Sequence, residues 1–278
     1  MSTTTITAAE VNKLRLQTGA GMMDCKKALT EANGDFEQAI DILRKKGQKV
    51  AANRSDREAK EGLVIAKTTA DGKKGVIIVL NCETDFVAKN DSFGAFANKI
   101  LDLAIEKSPK SIDELKALPF AGNGVTVGEK VIEQIGVIGE KLDISSYEVV
   151  EAGKVVAYNH PGNRLATIVG FNKPNEEYVS KDIAMQIAAM APVSVDKDDV
   201  DARMLERELD IAREQVRAEG KAEDMVEKIA QGKINKFYKE STLLNQEYIK
   251  DSKKTVRQFL ADADKELKVT GFKRIALG

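Results

Sequence analysis

The stretch Asn81-Cys82-Glu83-Thr84-Asp85-Phe86-Val87-Ala88-Lys89-Asn90 separates two patterned segments. Before it runs Val76-Ile77-Ile78-Val79-Leu80, β-branched and of strand length; after it Phe93, Phe96, Ile100, Leu101 and Ala104 recur at helical spacing. The order is therefore strand, connection, amphipathic helix. The connection is longer than a turn requires, and it sets a carboxylate, Asp85, beside a large aromatic, Phe86. A loop held at both ends by rigid elements has a fixed backbone and side chains free to meet a partner. Phe is also a common core residue, so two roles stay open for Phe86, core packing or contact.

Upstream, Leu63-Val64-Ile65-Ala66 and the Val76 run flank Ala70-Asp71-Gly72-Lys73, a turn signal that makes them a hairpin. Residues 7–47 read as three short helices. Thr7 and Glu10 fit a capping box, Val11 and Leu14 open an apolar face, and Thr18-Gly19-Ala20-Gly21 breaks the first helix. The second helix spans residues 22–32; the third carries Phe36, Ala39, Ile40 and Leu43 at i, i+3, i+4, i+7. So small a bundle has a thin core. Met22 and Met23, at its glycine turn, either plug that core or face a partner. Residues 45–62 are charged and almost devoid of large apolar side chains, which predicts a partly helical linker with nothing to anchor it.

Downstream, Ser111 with Glu114 and Thr126 with Glu129 fit capping boxes, Pro119 ends the short helix between them, and Val131, Ile132, Ile135 and Ile138 give the next helix a core face. Strands are expected at residues 144–150, 155–158 and 165–171, then a helix over 179–190. Residues 96–109 and 179–192 are of equal length, match Ile100 with Ile183, and both end on Pro, the mark of an internal repeat. The first copy has a longer strand-to-helix gap, and its surplus is the Thr84–Asn90 loop. Residues 196–241 are rich in both charges, with a thin apolar series through Val200, Met204, Leu209, Ile211 and Val216, then Met225, Val226, Ile229, Ile234 and Phe237. Two antiparallel helices projecting into solvent fit this pattern, as a solvated spacer or as an arm for a partner, self-association included. A helix over 255–267 and a strand over 269–277 finish the chain. The expected class is α+β, with segments at 1–54, 55–141, 142–195 with 242–278, and an inserted helical hairpin at 196–241.

At 278 residues more than one domain is expected. Forty-three basic residues against 44 acidic ones give a formal charge of -1, unlike a protein that grips a phosphate backbone. The start lacks a basic segment followed by an apolar one, and nowhere do eighteen apolar residues run together, so a cytoplasmic protein without a membrane or nucleic-acid partner is expected. Cys25 and Cys82 read as buried reduced thiols. No nucleophile elbow, phosphate-cradling glycine loop or Cys-x-x-Cys occurs, and His160 is the single histidine, by default a solvated turn residue. Two competing readings are a metal-dependent hydrolase built on Glu83, Asp85 and His160, and a ubiquitin-like-binding scaffold resting on the first 54 residues.

The run Thr84-Asp85-Phe86-Val87-Ala88-Lys89-Asn90 after Asn81-Cys82, and the run Leu14-Arg15-Leu16-Gln17-Thr18-Gly19-Ala20-Gly21-Met22-Met23-Asp24-Cys25-Lys26-Lys27-Ala28-Leu29, resemble the two signatures of the bacterial elongation factor Ts family. The resemblance covers nearly the whole chain. It implies a ubiquitin-associated-like first domain, a core of two related strand–helix subdomains, and guanine nucleotide exchange on elongation factor Tu, with no covalent chemistry and no cofactor. It assigns Asp85 and Phe86, within the loop Thr84, Val87 and Asn90 also belong to, to the region of the Mg²⁺ site of factor Tu. Arg15, Met22 and Met23 become docking contacts. A His in a similar loop touches domain 3 of factor Tu, which carries over to His160, although Pro161-Gly162 departs from the family's His-Gly. Some members add a C-terminal helix after the last strand, whereas this sequence stops at Gly278.

Overall fold

The computed structural model describes residues 5–120 and 124–278. Residues 1–4, within the start whose composition carries the expectation about targeting, lie outside that description. The structure mixes helix and strand. Helices α1 (Ala8–Thr18), α2 (Met22–Glu31) and α3 (Phe36–Asn53) come first. The Thr7–Glu10 capping box opens α1, and Gly19, at φ +76°, closes it with its N–H on the Arg15 carbonyl. Their core is Val11, Leu14, Ala20, Cys25, Ala28, Leu29, Ala32 and Ala39, with Phe36, Ile40 and Leu43 half-buried against it.

The charged stretch after residue 45 is not the unanchored linker its composition suggests. Helix α3 continues through it to Asn53 and packs on α7 (Val127–Ile138). The anchor is a small residue rather than a large apolar one: Gly47 is buried against the α7 backbone, with Arg44 Nε 2.8 Å from Glu133 beside it.

A hairpin of β1 (Glu61–Thr68) and β2 (Lys74–Cys82) follows, then the single turn α4 (Asp85–Ala88), α5 (Asp91–Lys107), α6 (Ile112–Ala117), the short pair β3 (Pro119–Phe120) and β4 (Val125–Thr126), α7, and β5 (Asp143–Glu151). The sheet order is β1-β2-β5, so β2 is central and nearly all of it is buried. Next come β6 (Lys154–Asn159), β7 (Leu165–Phe171), α8 (Glu177–Met190), the arm helices α9 (Ala202–Ala218) and α10 (Glu223–Ser241), β8 (Glu247–Tyr248), β9 (Asp251–Thr255), α11 (Val256–Ala263) and β10 (Val269–Ala276). The second sheet is antiparallel with order β10-β7-β6. Two compact units result, one of Met1–Ile65, Ile78–Tyr147 and Leu277–Gly278, the other of Ala66–Ile77 and Glu148–Ala276.

The same order of parts recurs. In each sheet the strand before the long helix is central. Helices α5 and α8 bury Ile100 and Ile183 completely, and both end on a non-glycine residue in the left-handed region just before proline: Ser108 at φ +50° and Ala191 at φ +44°. Helices α7 and α11 both start with a capping box, Thr126–Glu129 and Thr255–Gln258, followed by a fully buried valine. Helix α4 has no counterpart between β7 and α8.

Several elements depart from their patterns. Helix α11 stops at Ala263, not residue 267, because Asp264 accepts the N–H of Glu266 and turns the chain. Ser111 caps α6, but Glu114 accepts from Lys110, so that box is half made. Ile132 is 37% exposed, off the α7 core face. The arm's buried seam is Ala212, Val216, Val226, Ala230 and Ile234, while Met204, Ile211 and Met225 face outward. Small alanines close the α9–α10 contact where larger apolar residues were expected. The arm's two roots are stitched side by side: Val193 N–H to Ser241 O, Leu243 N–H to Ser194 O, and Asp196 accepting from both Asn245 and Arg257.

Candidate functional site: a braced turn presenting Phe86

Thr84 caps α4, its hydroxyl accepting the Val87 N–H at 3.4 Å, and α4 is one turn long with no buried residue. Phe86 lies on it 83% exposed. The core alternative for this ring is thereby removed, and Phe93, three residues into the next helix, is the aromatic that enters the core, 1% exposed. Asp85 pairs with Lys89 Nζ at 2.6 Å one turn on, and that hydrogen bond holds its carboxyl below the usual range. Val87 is half-buried. Asn90 is the cap of α5, accepting the N–H of Ser92 at 2.9 Å.

Two carboxylates fix the base of the turn. Glu140, just past the α7 terminus, accepts the N–H groups of Glu83 (3.1 Å) and Thr84 (3.0 Å) on one oxygen and the Thr84 hydroxyl (2.6 Å) on the other. Glu83 reciprocates, accepting the Lys141 N–H at 2.6 Å, Arg54 at 2.7 Å and Arg57 at 3.2 Å. Burial pushes the Glu83 carboxyl up, but the Lys141 N–H and the two guanidiniums outweigh it and leave it below its ordinary value. Lys141 Nζ in turn donates to the carbonyls of Ser55 (2.6 Å) and Arg57 (2.8 Å). Beneath the turn, the Cys82 thiol donates to the Thr84 carbonyl and is pushed up to about 12 by burial, with Glu140 and Glu61 nearby. Pattern reading missed Glu140, Lys141, Arg54 and Arg57, because no local spacing links positions 26 to 58 residues apart.

In the helical module Arg15 is exposed in the last turn of α1, and Met22 (57%) and Met23 (64%) are exposed at the start of α2. The methionines do not plug the bundle. Leu16, 78% exposed next to Arg15 in sequence, was missed; its signal is an apolar residue two positions off the Val11–Leu14 face. His160 is exposed in the β6–β7 turn, with Nδ1 2.9 Å from the Tyr158 hydroxyl. Glu83 and Asp85 are already engaged by arginines and a lysine, and no group of three His, Cys, Asp or Glu able to hold a metal occurs among the described residues. No helix among the described residues is long and apolar enough to cross a membrane.

Residues 83–278 match the model of the family described as Elongation factor TS. The chain is 52% identical over 276 residues to elongation factor Ts of Flavobacterium psychrophilum, covering 99% of each chain. It is 51% identical to that of Christiangramia forsetii over 98% of this chain and 99% of the other, and 52% identical to that of Cytophaga hutchinsonii over the same shares. With half of its residues shared along almost its full length, and its key turn inside the matched span, the chain belongs to the elongation factor Ts family.

Proposed function

We propose that the chain carries out the family's reaction, guanine nucleotide exchange on elongation factor Tu, by pressing the Asp85–Phe86 turn against the GDP-bound GTPase near its Mg²⁺ and phosphates. A GTPase holds GDP through backbone amides around the phosphates and a Mg²⁺ that neutralises them, so an exchange factor needs only to disturb that cradle. No covalent step is required of it. The observation that carries the reading is Phe86, 83% exposed on a turn whose base is tied by two carboxylates. Covering a ring of this size is worth about 1.5–3 kcal/mol, free energy available only against a partner. Asp85 is held by one exposed, salt-screened pair, which leaves it able to turn toward a metal site.

Docking would fall to Arg15, Met22 and Met23, with His160 as a further contact on domain 3. The chain would thus comprise a ubiquitin-associated-like module (1–54), two related strand–helix subdomains (55–141; 142–195 with 242–278) and a projecting arm (196–241), acting in the cytoplasm. The recurrence of central strand, capped helix and left-handed helix end supports the pair of related subdomains.

Release of fluorescently labelled GDP from factor Tu tests this, with excess Mg²⁺ and with the metal chelated. Saturable acceleration is expected, and the antagonism between GDP and this protein should shrink without Mg²⁺. By linkage each ligand lowers the other's affinity by the same factor, tenfold for every ~1.4 kcal/mol. Equal coupling at both metal levels would reduce Phe86 to a steric wedge, and no acceleration would refute exchange.

A further inference from the structure

Helix α4 should not persist by itself. It is one turn long, it buries no residue, and isolated turns are unstable in water because nucleation fixes several dihedrals for a single hydrogen bond. Packing is therefore a thin hold on Phe86, its neighbours Val87 and Ala88 being only half-buried. The largest set of side-chain ties comes from the Glu140 carboxylate, which gathers two backbone N–H groups and a hydroxyl from the two residues just before α4, beside the single bonds of the Thr84 cap and the Cys82 thiol. Charge-assisted bonds of this kind are roughly twice as strong as neutral ones.

Comparison of the two sheets shows that this arrangement belongs to the turn and not to the scaffold. After β7, Asn172 ties the chain entering β10, its side chain donating to Glu266 O at 2.9 Å and accepting from Lys268 N at 2.8 Å. Near the end of the central strand of the other sheet stands Asn81, buried, donating to Glu61 O but with its Oδ1 unpartnered. There the tie to the chain entering β5 is made by Glu83 on the Lys141 N–H, and Glu140 ties back to the turn. The two carboxylates would repel each other without Arg54, Arg57 and Lys141 around them.

We infer that Glu140 is a positioning residue for nucleotide exchange, holding the Phe86 turn in the geometry that meets the GTPase, with Glu83 as the reciprocal half of the brace. This rests on the exchange mechanism proposed above. Glu140 acts through Phe86, so its removal loosens the turn without touching the docking surface on α1 and α2.

The test is labelled-GDP release from factor Tu, titrated with full-length wild type, Glu140→Gln, Phe86→Ala and the double variant. Glu140→Gln should lower the plateau rate about tenfold, the equivalent of ~1.4 kcal/mol, with the half-saturating concentration nearly unchanged. In the Phe86→Ala background the same substitution should have no further effect. Amide hydrogen exchange of the free protein should quicken at Glu83 and Thr84 in Glu140→Gln and stay unchanged at Ile78 and Leu80. An additive loss in the double variant would mean that Glu140 meets the partner directly, and would overturn the positioning role, as would an unchanged plateau or unchanged exchange at Thr84. Phe86→Ala alone separates the two claims. Normal release with alanine there refutes the Phe86 mechanism, whereas loss there with normal release in Glu140→Gln refutes the brace alone.

Discussion

A methyl group placed on Gly136 of α7 would lie 2.6 Å from the Cα of Gly47 on α3, closer than real side chains come to backbone. The two helices cross glycine on glycine, and the charged end of α3 is fastened by that contact. Alanine in a helix interior normally adds up to about 1 kcal/mol over glycine. Here the clash should win: Gly136→Ala should cost about 1–3 kcal/mol, as overpacking does. Gly232 on α10 is the control, with nothing within 4 Å of its added methyl, so Gly232→Ala should stabilise by about 0.5–1 kcal/mol. Thermal melting of both variants checks the pair of opposite signs.

Phe86→Ala should leave the melting temperature within a degree or two of wild type, since the ring is 83% exposed, while slowing GDP release. Phe93→Ala, with the ring 1% exposed, should cost ~3–5 kcal/mol. Comparable melting losses in the two variants would return Phe86 to the core.

Replacing both Met22 and Met23 by alanine should raise the half-saturating concentration for exchange and leave the plateau and the fold intact. Deleting residues 1–54 is a blunter experiment than the sequence suggested. It removes Gly47, Arg44 and Arg54, exposing α7 and leaving Glu83 short of a guanidinium. Melting, docking and plateau rate should then all fall together, in contrast with the double methionine variant.

The depressed Glu83 carboxyl makes the brace pH-dependent. A group whose folded pKa lies below its unfolded value, ~4.3 for Glu, contributes stability that is present above that value and lost as pH falls through the folded one. Glu83→Gln should therefore melt below wild type at pH 7, and the two melting curves should converge as the pH falls from the unfolded value through the lower folded one. A gap that persists into acid would assign the loss to shape instead of charge.

Excising the arm at residues 202–237 and joining its ends with a short Gly-Ser turn should leave a cooperatively folded protein that still accelerates GDP release. The cut spares Asp196 and Thr242, which carry the root bonds. Loss of exchange in such a folded variant would give the arm a part in the reaction.

Much of this architecture follows from local chemistry. The capping boxes at Thr7 and Thr126, the glycine closing α1 and the runs that form β2 and β7 are rules about neighbours, and each element stands where those rules put it. What local rules could not reach are contacts made by small or charged residues far apart in sequence. Gly47 meeting Gly136, and Glu83 meeting Arg54 and Lys141, leave no periodic trace. The same holds for the arm, where Ala212 and Ala230 do the packing that larger side chains were expected to do. At the site itself the residue types in Thr84-Asp85-Phe86 were legible, but whether Phe86 faced in or out depended on how its turn was tied down.

Cys25 and Cys82 are the two cysteines of the chain, and both are buried, one inside the helical module and one under the Phe86 turn. Burial, with Glu140 and Glu61 nearby, keeps the second thiol protonated and shielded from alkylating reagents. Each therefore becomes modifiable only when its own surroundings open. Alkylation followed by mass spectrometry would time the breathing of the helical module and of the Phe86 turn separately in the unaltered protein, with no label engineered into either.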